Sequence, residues 1–312
     1  MRFSFVLLLL LCVTAANAFD DLSAAIANAR VACSGIGAQL GEMKTMAGIN
    51  TAVTGVGTVA GGVALGTGIA KANVDKEAEE LEKRIEELKR SSANVPVEHL
   101  IIENKTAFDS QLNEFVRTYT AELQQRESEL SAAEQKSKNL GNWRTGTLAT
   151  ATATNIAGTV IAGTNKVRGD LKSQIDGCLT TVKTLSAVRM QAQMSNTATP
   201  EELARAENIV RACDGWSTVD IDSINKKSTG ATVSAGVGAG LGLAGTITSA
   251  SANSQLVHDG DTDKEKNLNT VANVLAGGTT VASGVATVFN ATQIGAIKRA
   301  ASVADECEGA LR

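Results

Sequence analysis

The chain has 312 residues with a formal net charge of −4, and only 3% of it is aromatic. The mild charge and the absence of any basic tract argue against nucleic acid, whose binding rests on clustered Lys and Arg. Few aromatics argue against an ordinary β-sandwich or barrel core, and the two prolines, Pro96 and Pro200, permit long uninterrupted helices.

The chain begins MRFSFVLLLLLCVTAANAFDD. Arg2, the apolar run Phe5–Val13 and the small-residue site Ala16-Asn17-Ala18 predict a secretory signal peptide over residues 1–18. Export through that signal places the mature chain in a cell-envelope membrane, the periplasm or the extracellular space. An uncleaved N-terminal anchor is the alternative.

The rest is organised by four stretches without a single charge: Thr45–Ala70, Thr145–Asn165, Ser228–His258 and Asn267–Ile297. They are built almost entirely from Gly, Ala, Thr, Ser, Val, Ile and Leu. Each reaches the roughly 20 residues that a helix needs to cross a bilayer. Between the first two, Val74, Ala78, Leu81, Ile85 and Leu88 follow 4-3-4-3 spacing within DKEAEELEKRIEELKR, a heptad seam with charged flanks. Phe108, Leu112, Phe115 and Tyr119 repeat that spacing on the return arm. The segment 73–140 therefore predicts an antiparallel coiled-coil stalk that turns near Pro96, since the residue before a proline avoids helix. Its tip carries Leu100, Ile101 and Ile102, the candidate partner contact. Protein association or self-association through the coiled coil is expected on the same ground.

Four cysteines remain after the signal: Cys33, Cys178, Cys213 and Cys307. IANARVACSGI around Cys33 is similar to AENIVRACDGW around Cys213, and each is followed by a small-residue stretch. Asn139-Leu140 and Asn267-Leu268 open similar runs that reach Cys178 and Cys307. The order Cys, uncharged, charged, uncharged, Cys is thus written twice, an internal repeat. It predicts an all-α fold: two antiparallel helical hairpins packed as a small-residue four-helix bundle, the first extended by the coiled coil. The first hairpin covers 19–195 and the second 196–312. An apex at Asp259-Gly260-Asp261 leaves arms of 46 residues to Cys213 and to Cys307. Of three possible connectivities, hairpin geometry then favours disulfides Cys33–Cys178 and Cys213–Cys307. The chain-entropy value for such loops is about 4–5 kcal/mol each.

Gly236, Gly240 and their neighbours disfavour a lone helix in water, because each Gly costs about 1 kcal/mol relative to Ala. Dense packing or a bilayer must enforce the helix. Gly57/Gly61, Gly62/Gly66, Gly236/Gly240 and Gly278/Ala282 are small-xxx-small pairs, which let helices pack backbone to backbone in lipid. In this respect the chain resembles glycine-zipper membrane segments. The Thr and Asn of TGTLATATATNIAGTVIAGTN weigh against insertion. Alternation in Val233–Leu243 and Thr150–Thr154 leaves a strand reading open, as in pore-forming hairpins.

No catalytic constellation is evident. His99 and His258 have no nearby nucleophile–acid set. Asp259-Gly-Asp261-Thr-Asp263 lacks the glycine and terminal Glu of a calcium loop. Asp214, Ser217, Asp220 and Asp222 form an acidic turn. A convergent polar cluster between helices would point to an enzyme, and the sequence predicts none. No cofactor, metal or small-molecule substrate is expected. Two functions fit: an exported, membrane-associated scaffold or adaptor, or a secreted pore-former that inserts its Gly/Ala-rich hairpins.

Overall fold

A computed structural model describes residues 22–93, 105–254 and 262–312. The signal peptide, the stalk tip with Leu100, Ile101 and Ile102, the turn at Asp259–Asp261 and both histidines lie outside the described residues, as do the side chains of Phe108, Leu112 and Phe115. The described chain is 94% helical and contains no strand. Helix α1 covers 22–33, α2 Ile36–Ala93, α3 Lys105–Thr164, α4 Gly169–Met194, α5 Pro200–Cys213, α6 Ile221–Ala252 and α7 Thr262–Leu311. Four long helices, α2, α3, α6 and α7, pack together as an all-α bundle. Both stretches whose alternation suggested strands are helical. There the small residues follow the helix period as well, because nearly every position is small or branched apolar.

Compact packing divides the chain into two units. The described part of the first is residues 22–55, Asn155–Gly236 and Gly284–Arg312. Its core is conventional. On α4, Leu171, Ile175, Cys178, Val182 and Leu185 recur at 3–4 spacing and bury against Ile209, Trp216, Ile297 and Leu311. Gly35 joins α1 to α2 at φ +79°, a left-handed conformation that glycine adopts without a Cβ clash. The α4–α5 corner is closed by local chemistry. Asn196 takes φ 51° and the Thr197 amide returns to the Ala192 carbonyl at 3.1 Å, a Schellman stop. Thr199 and Glu202 then form a capping box, with Pro200 at the first helical position.

The descending arm from Asn139 to Cys178 is not one helix. It breaks over residues 165–168. The freed backbone is taken up by side chains from other helices: the Val167 amide donates to Asn225 Oδ1 at 2.8 Å, and Gln293 Nε2 donates to the Asn165 carbonyl at 3.1 Å. A buried break needs such partners, since an unpaired buried backbone group costs about as much as a lost hydrogen bond.

The second unit is Val56–Thr154 with Val237–Ser283. Here α2 and α3 form the coiled-coil-like pair. Val74, Leu81 and Ile85 are buried, Leu130, Ala133 and Leu140 pack on that seam, and Lys89 meets Glu127 at 3.5 Å. Tyr119 is half-buried.

Candidate functional site

The uncharged stretches sort their residues in the opposite sense to a helix in water. In the second unit α2 exposes Val56, Val59, Val63 and Ile69 while burying Ala60, Ala64 and Lys71. Likewise α7 exposes Val271, Val274 and Val281 and buries Ala272, Ala276, Thr279 and Ser283, and α6 exposes Val237, Leu243 and Ile247 and buries Ser249. In the first unit Ile49, Ile156, Val160, Val233, Val285 and Val288 face out, and Asn50, Thr54, Asn155, Asn290 and Gln293 face in. Val59 is 68% exposed and Val274 70%, whereas Asn290 is 0%. Single exposed apolar residues are normal, but a continuous apolar face on a helix that buries amides marks contact with lipid or protein.

Three helical stretches among the described residues are long and apolar enough to cross a membrane: Leu22–Arg90, Pro200–Ala252 and Asp263–Leu311. All four uncharged stretches are long enough, and the Thr and Asn of the second weighed against its insertion. The one on α3 falls short because Thr and Asn dilute its hydropathy. Its hydroxyls are nonetheless satisfied within the helix: Thr147, Thr150, Thr152, Thr154, Thr159 and Thr164 each donate to the carbonyl four residues back, at 2.8–3.1 Å. Such back-bonding removes much of the desolvation cost of a hydroxyl. Trp143, two residues before this stretch, is 68% exposed. Apolar helices and disulfides of this kind are compatible with a membrane or envelope protein.

The interior holds polar layers that the sequence did not predict. In the first unit Asn50 Nδ2 donates to Asn290 Oδ1 at 2.8 Å, and Asn290 Nδ2 to Thr54 Oγ1 at 3.3 Å, joining α2 to α7. Asn290, part of a glycosylation sequon, is therefore committed to the core. In the second unit Lys71 Nζ, 2% exposed, donates to Asp75 Oδ2 at 2.8 Å, Ser137 Oγ at 3.0 Å and Glu265 Oε1 at 3.1 Å. Ser137 also bonds Asp75. Arg144, fully buried, donates from Nε to Ser249 Oγ at 2.8 Å, from Nη1 to Asn273 Oδ1 at 3.2 Å and from Nη2 to Asn269 Oδ1 at 2.7 Å. Asn269 Nδ2 reaches Glu265 Oε1 at 3.5 Å and links the two cations' networks.

This convergent cluster from four helices corrects the expectation that none exists. Its signal was present: Lys71 and Arg144 each border an uncharged stretch, and Glu265, Asn269 and Asn273 lie four apart on one face of α7. What the sequence lacks is the pairing of faces. All three ammonium donors of Lys71 and one N–H on each guanidinium nitrogen of Arg144 have acceptors, so the cluster ties the helices together. A cavity of about 450 Å³ lies beside it, lined by Asp75, Glu79, Ser137, Glu265, Lys266, Asn269 and Asn273 among others. Hydrogen bonds from Lys83 and Lys266 hold the Glu79 carboxyl down at about 2.

The sulfurs pair as Cys33–Cys178 and Cys213–Cys307, both in the first unit's core. The glycine pairs divide. A Cβ on Gly61 would meet Thr280 Oγ1 at 2.7 Å and the Thr280 backbone at 3.2 Å, and one on Gly278 would meet Leu241 Cδ1 at 2.9 Å. Gly57 is buried, Ala282 half-buried, and Gly236 has only ordinary contact with Thr159. A Cβ on Gly62, Gly66 or Gly240 would meet nothing within 4 Å. Close approaches instead occur at Gly68 against Asn273, Gly141 against Asn253, Gly158 against Thr54 and Gly242 against Thr152. The acidic turn serves local roles: Asp220 caps the Ser223 amide at 2.8 Å, and Asp222 pairs with Lys172 at 2.9 Å. Trp216 is buried in the 3-10 turn after α5.

Compared with protein-family models, curated proteins and solved structures, the chain matches none.

Proposed function

We propose that the protein is an exported, membrane-associated helical scaffold or adaptor of the cell envelope, with no catalytic role. The observation that carries this reading is the inverted sorting of the uncharged helices, with Val and Ile outward and Asn, Thr, Ser and Lys71 inward. Lipid solvates the outer face, and the buried Asn50, Asn290, Lys71 and Arg144 find partners on neighbouring helices, with exceptions at Asn50 Oδ1 and Gln293 Oε1, which lack one; internal pairing is what a bilayer requires of polar groups. Support also comes from helix length: 26 uncharged residues of α2 rise about 39 Å, enough for a hydrocarbon core of about 30 Å. Exposed Trp143 suits an interfacial anchor at the edge of the α3 stretch. The N-terminal segment directs export, and an oxidising compartment keeps the two disulfides formed. The charged α2–α3 coiled coil is the surface for a protein partner or for self-association.

Val281→Lys, one residue from the centre of the Asn267–Ile297 stretch and exposed, tests the reading. In water this exposed change falls within about 0.5 kcal/mol of neutral; at mid-bilayer a lysine costs about 2.5–3.5 kcal/mol on the insertion scale. The variant is expected to lose resistance to carbonate extraction, while the parent stays in the membrane pellet. A parent chain released fully by carbonate sinks the insertion claim.

The inward polar layers support a second reading, a secreted pore-former whose inserted hairpins turn these groups toward a channel. Dye leakage from liposomes by the purified protein separates the two, and failure at every pH and lipid composition counts against the pore.

A further inference from the structure

Three buried polar atoms of the first unit find no hydrogen-bond partner among the described residues: Asn50 Oδ1, Asn165 Nδ2 and Gln293 Oε1. Their residues are 1%, 4% and 0% exposed. The bonds around them fix which way the two acceptors face. Gln293 Nε2 donates to the Asn165 main-chain carbonyl at 3.1 Å. A carbonyl only accepts, so Oε1 is the atom left over. One turn earlier on α7, Asn290 Nδ2 donates to Thr54 Oγ1 at 3.3 Å, and Thr54 donates its own hydrogen to the Asn50 carbonyl at 2.9 Å. Asn290 therefore turns Oδ1 toward Asn50 Nδ2, 2.8 Å away, and Asn50 Oδ1 is left without a donor. Burial strips such groups of their bonds to solvent, and an internal water is the usual replacement.

The site has a way in and a short reach. At the break between α3 and α4, Asn165 and Val167 are buried while Lys166 and Arg168 are exposed, so the chain there runs between interior and surface. The neighbouring side chains are small: Ala162 and Ser228 are fully buried, and Ser228 Oγ donates to the Ala162 carbonyl at 2.7 Å. Gln293 and Asn165 are already joined by one hydrogen bond, and a water with two bonds of about 2.9 Å links groups up to about 5.8 Å apart.

We propose that the first unit binds an internal water at this break. It accepts from Asn165 Nδ2 and donates to Gln293 Oε1. Its second hydrogen serves Asn50 Oδ1, directly or through a second water. The donor set selects water over an ion. A cation would leave the Asn165 N–H unmet, and an anion would face two carbonyl oxygens, whereas water both donates and accepts. The inference rests on the hydrogen bonding of the first unit and does not depend on the membrane reading.

The test uses the oxidised full chain with ¹⁵N in its Asn and Gln side chains, and reads dipolar transfer from water to their amide protons by NMR. Asn165→Ser assigns the Asn165 signal by its disappearance. Expected at Asn165 is a water cross-peak whose rotating-frame sign is opposite to the diagonal, which distinguishes bound water from proton exchange. Gln293→Met removes one acceptor and should abolish that cross-peak while the helical circular dichroism is kept. A parent chain with no dipolar cross-peak at Asn165 overturns the proposal, and that measurement needs no variant to fold. So does an unchanged cross-peak in Gln293→Met. Displacement of the Asn165 and Gln293 resonances by Na⁺ at constant ionic strength would put a cation there and overturns it as well.

Discussion

Gly61 and Gly62 are neighbours on α2, yet alanine should act on them with opposite sign. At Gly62 an added Cβ meets nothing within 4 Å. The helix then gains the full propensity difference, about 1 kcal/mol of stability. At Gly61 the Cβ would lie 2.7 Å from Thr280 Oγ1, 3.2 Å from Thr280 Cα and 3.3 Å from its backbone nitrogen. The hydroxyl cannot swing away freely, because it donates to the Ala276 carbonyl at 2.8 Å. The two backbone atoms cannot rotate at all, so α2 and α7 must separate locally. Overpacking of this kind costs about 1–3 kcal/mol, against the same gain in propensity. Gly61→Ala should therefore fall about 1–3 kcal/mol below Gly62→Ala. Urea unfolding followed by the helical circular dichroism signal, with both variants in one buffer or detergent, gives the comparison. Equal shifts in the same direction would refute the close approach of α2 to Thr280.

Lys71→Met strands Asp75 and Glu265 without their ammonium and should cost about 2–3 kcal/mol, less than for a sealed ion pair because both carboxylates keep some access to water; no change in unfolding midpoint would argue against a tie at this point. Gly68→Ala places a Cβ on the Asn273 amide that holds Arg144, so it should destabilise despite its better helix propensity, as read by faster amide exchange in α7 around Asn273. Replacing Cys213 and Cys307 together by Ala opens a loop of 94 residues and should lower stability by about 4–5 kcal/mol on the chain-entropy scale; a loss below about 1 kcal/mol would mean the core alone holds these ends. Glu79, depressed from 4.5 to about 2 by Lys83 and Lys266, should add stability above its ordinary value that is lost as pH falls through the window from 4.5 toward about 2. Carboxyl NMR titration checks this, and a midpoint near 4.5 would remove the Lys266 tie between α2 and α7.

Helix was legible wherever periodicity or composition left a single option. The heptad Val74–Leu88 specified a seam, and that seam is buried against α3. The sulfur pairing was legible from arm length, because a hairpin returns its ends to the same level. The break at 165–168 was harder to see. Asn165 and Gly169 hint at a stop, but the residues that make it tolerable, Asn225 and Gln293, lie 58 and 128 positions from the groups they satisfy. The same distance in sequence hid the polar cluster, whose members come from four helices.

The uncharged stretches separate the two levels most clearly. Their composition alone determined that a helix there needs packing or lipid to persist and that close approach is available somewhere along them, while the strand alternative raised by their alternation was removed by the structure. Which glycines are used, and which face turns inward, was decided by tertiary structure. With Gly, Ala, Ser and Thr spread around these helices, composition alone does not say whether the face that carries Val and Ile turns inward to a core or outward. The choice falls to the rotation at which Asn50 meets Asn290, Arg144 meets Ser249, Asn269 and Asn273, and Gly61 admits Thr280. Those contacts exist only when the helices are side by side.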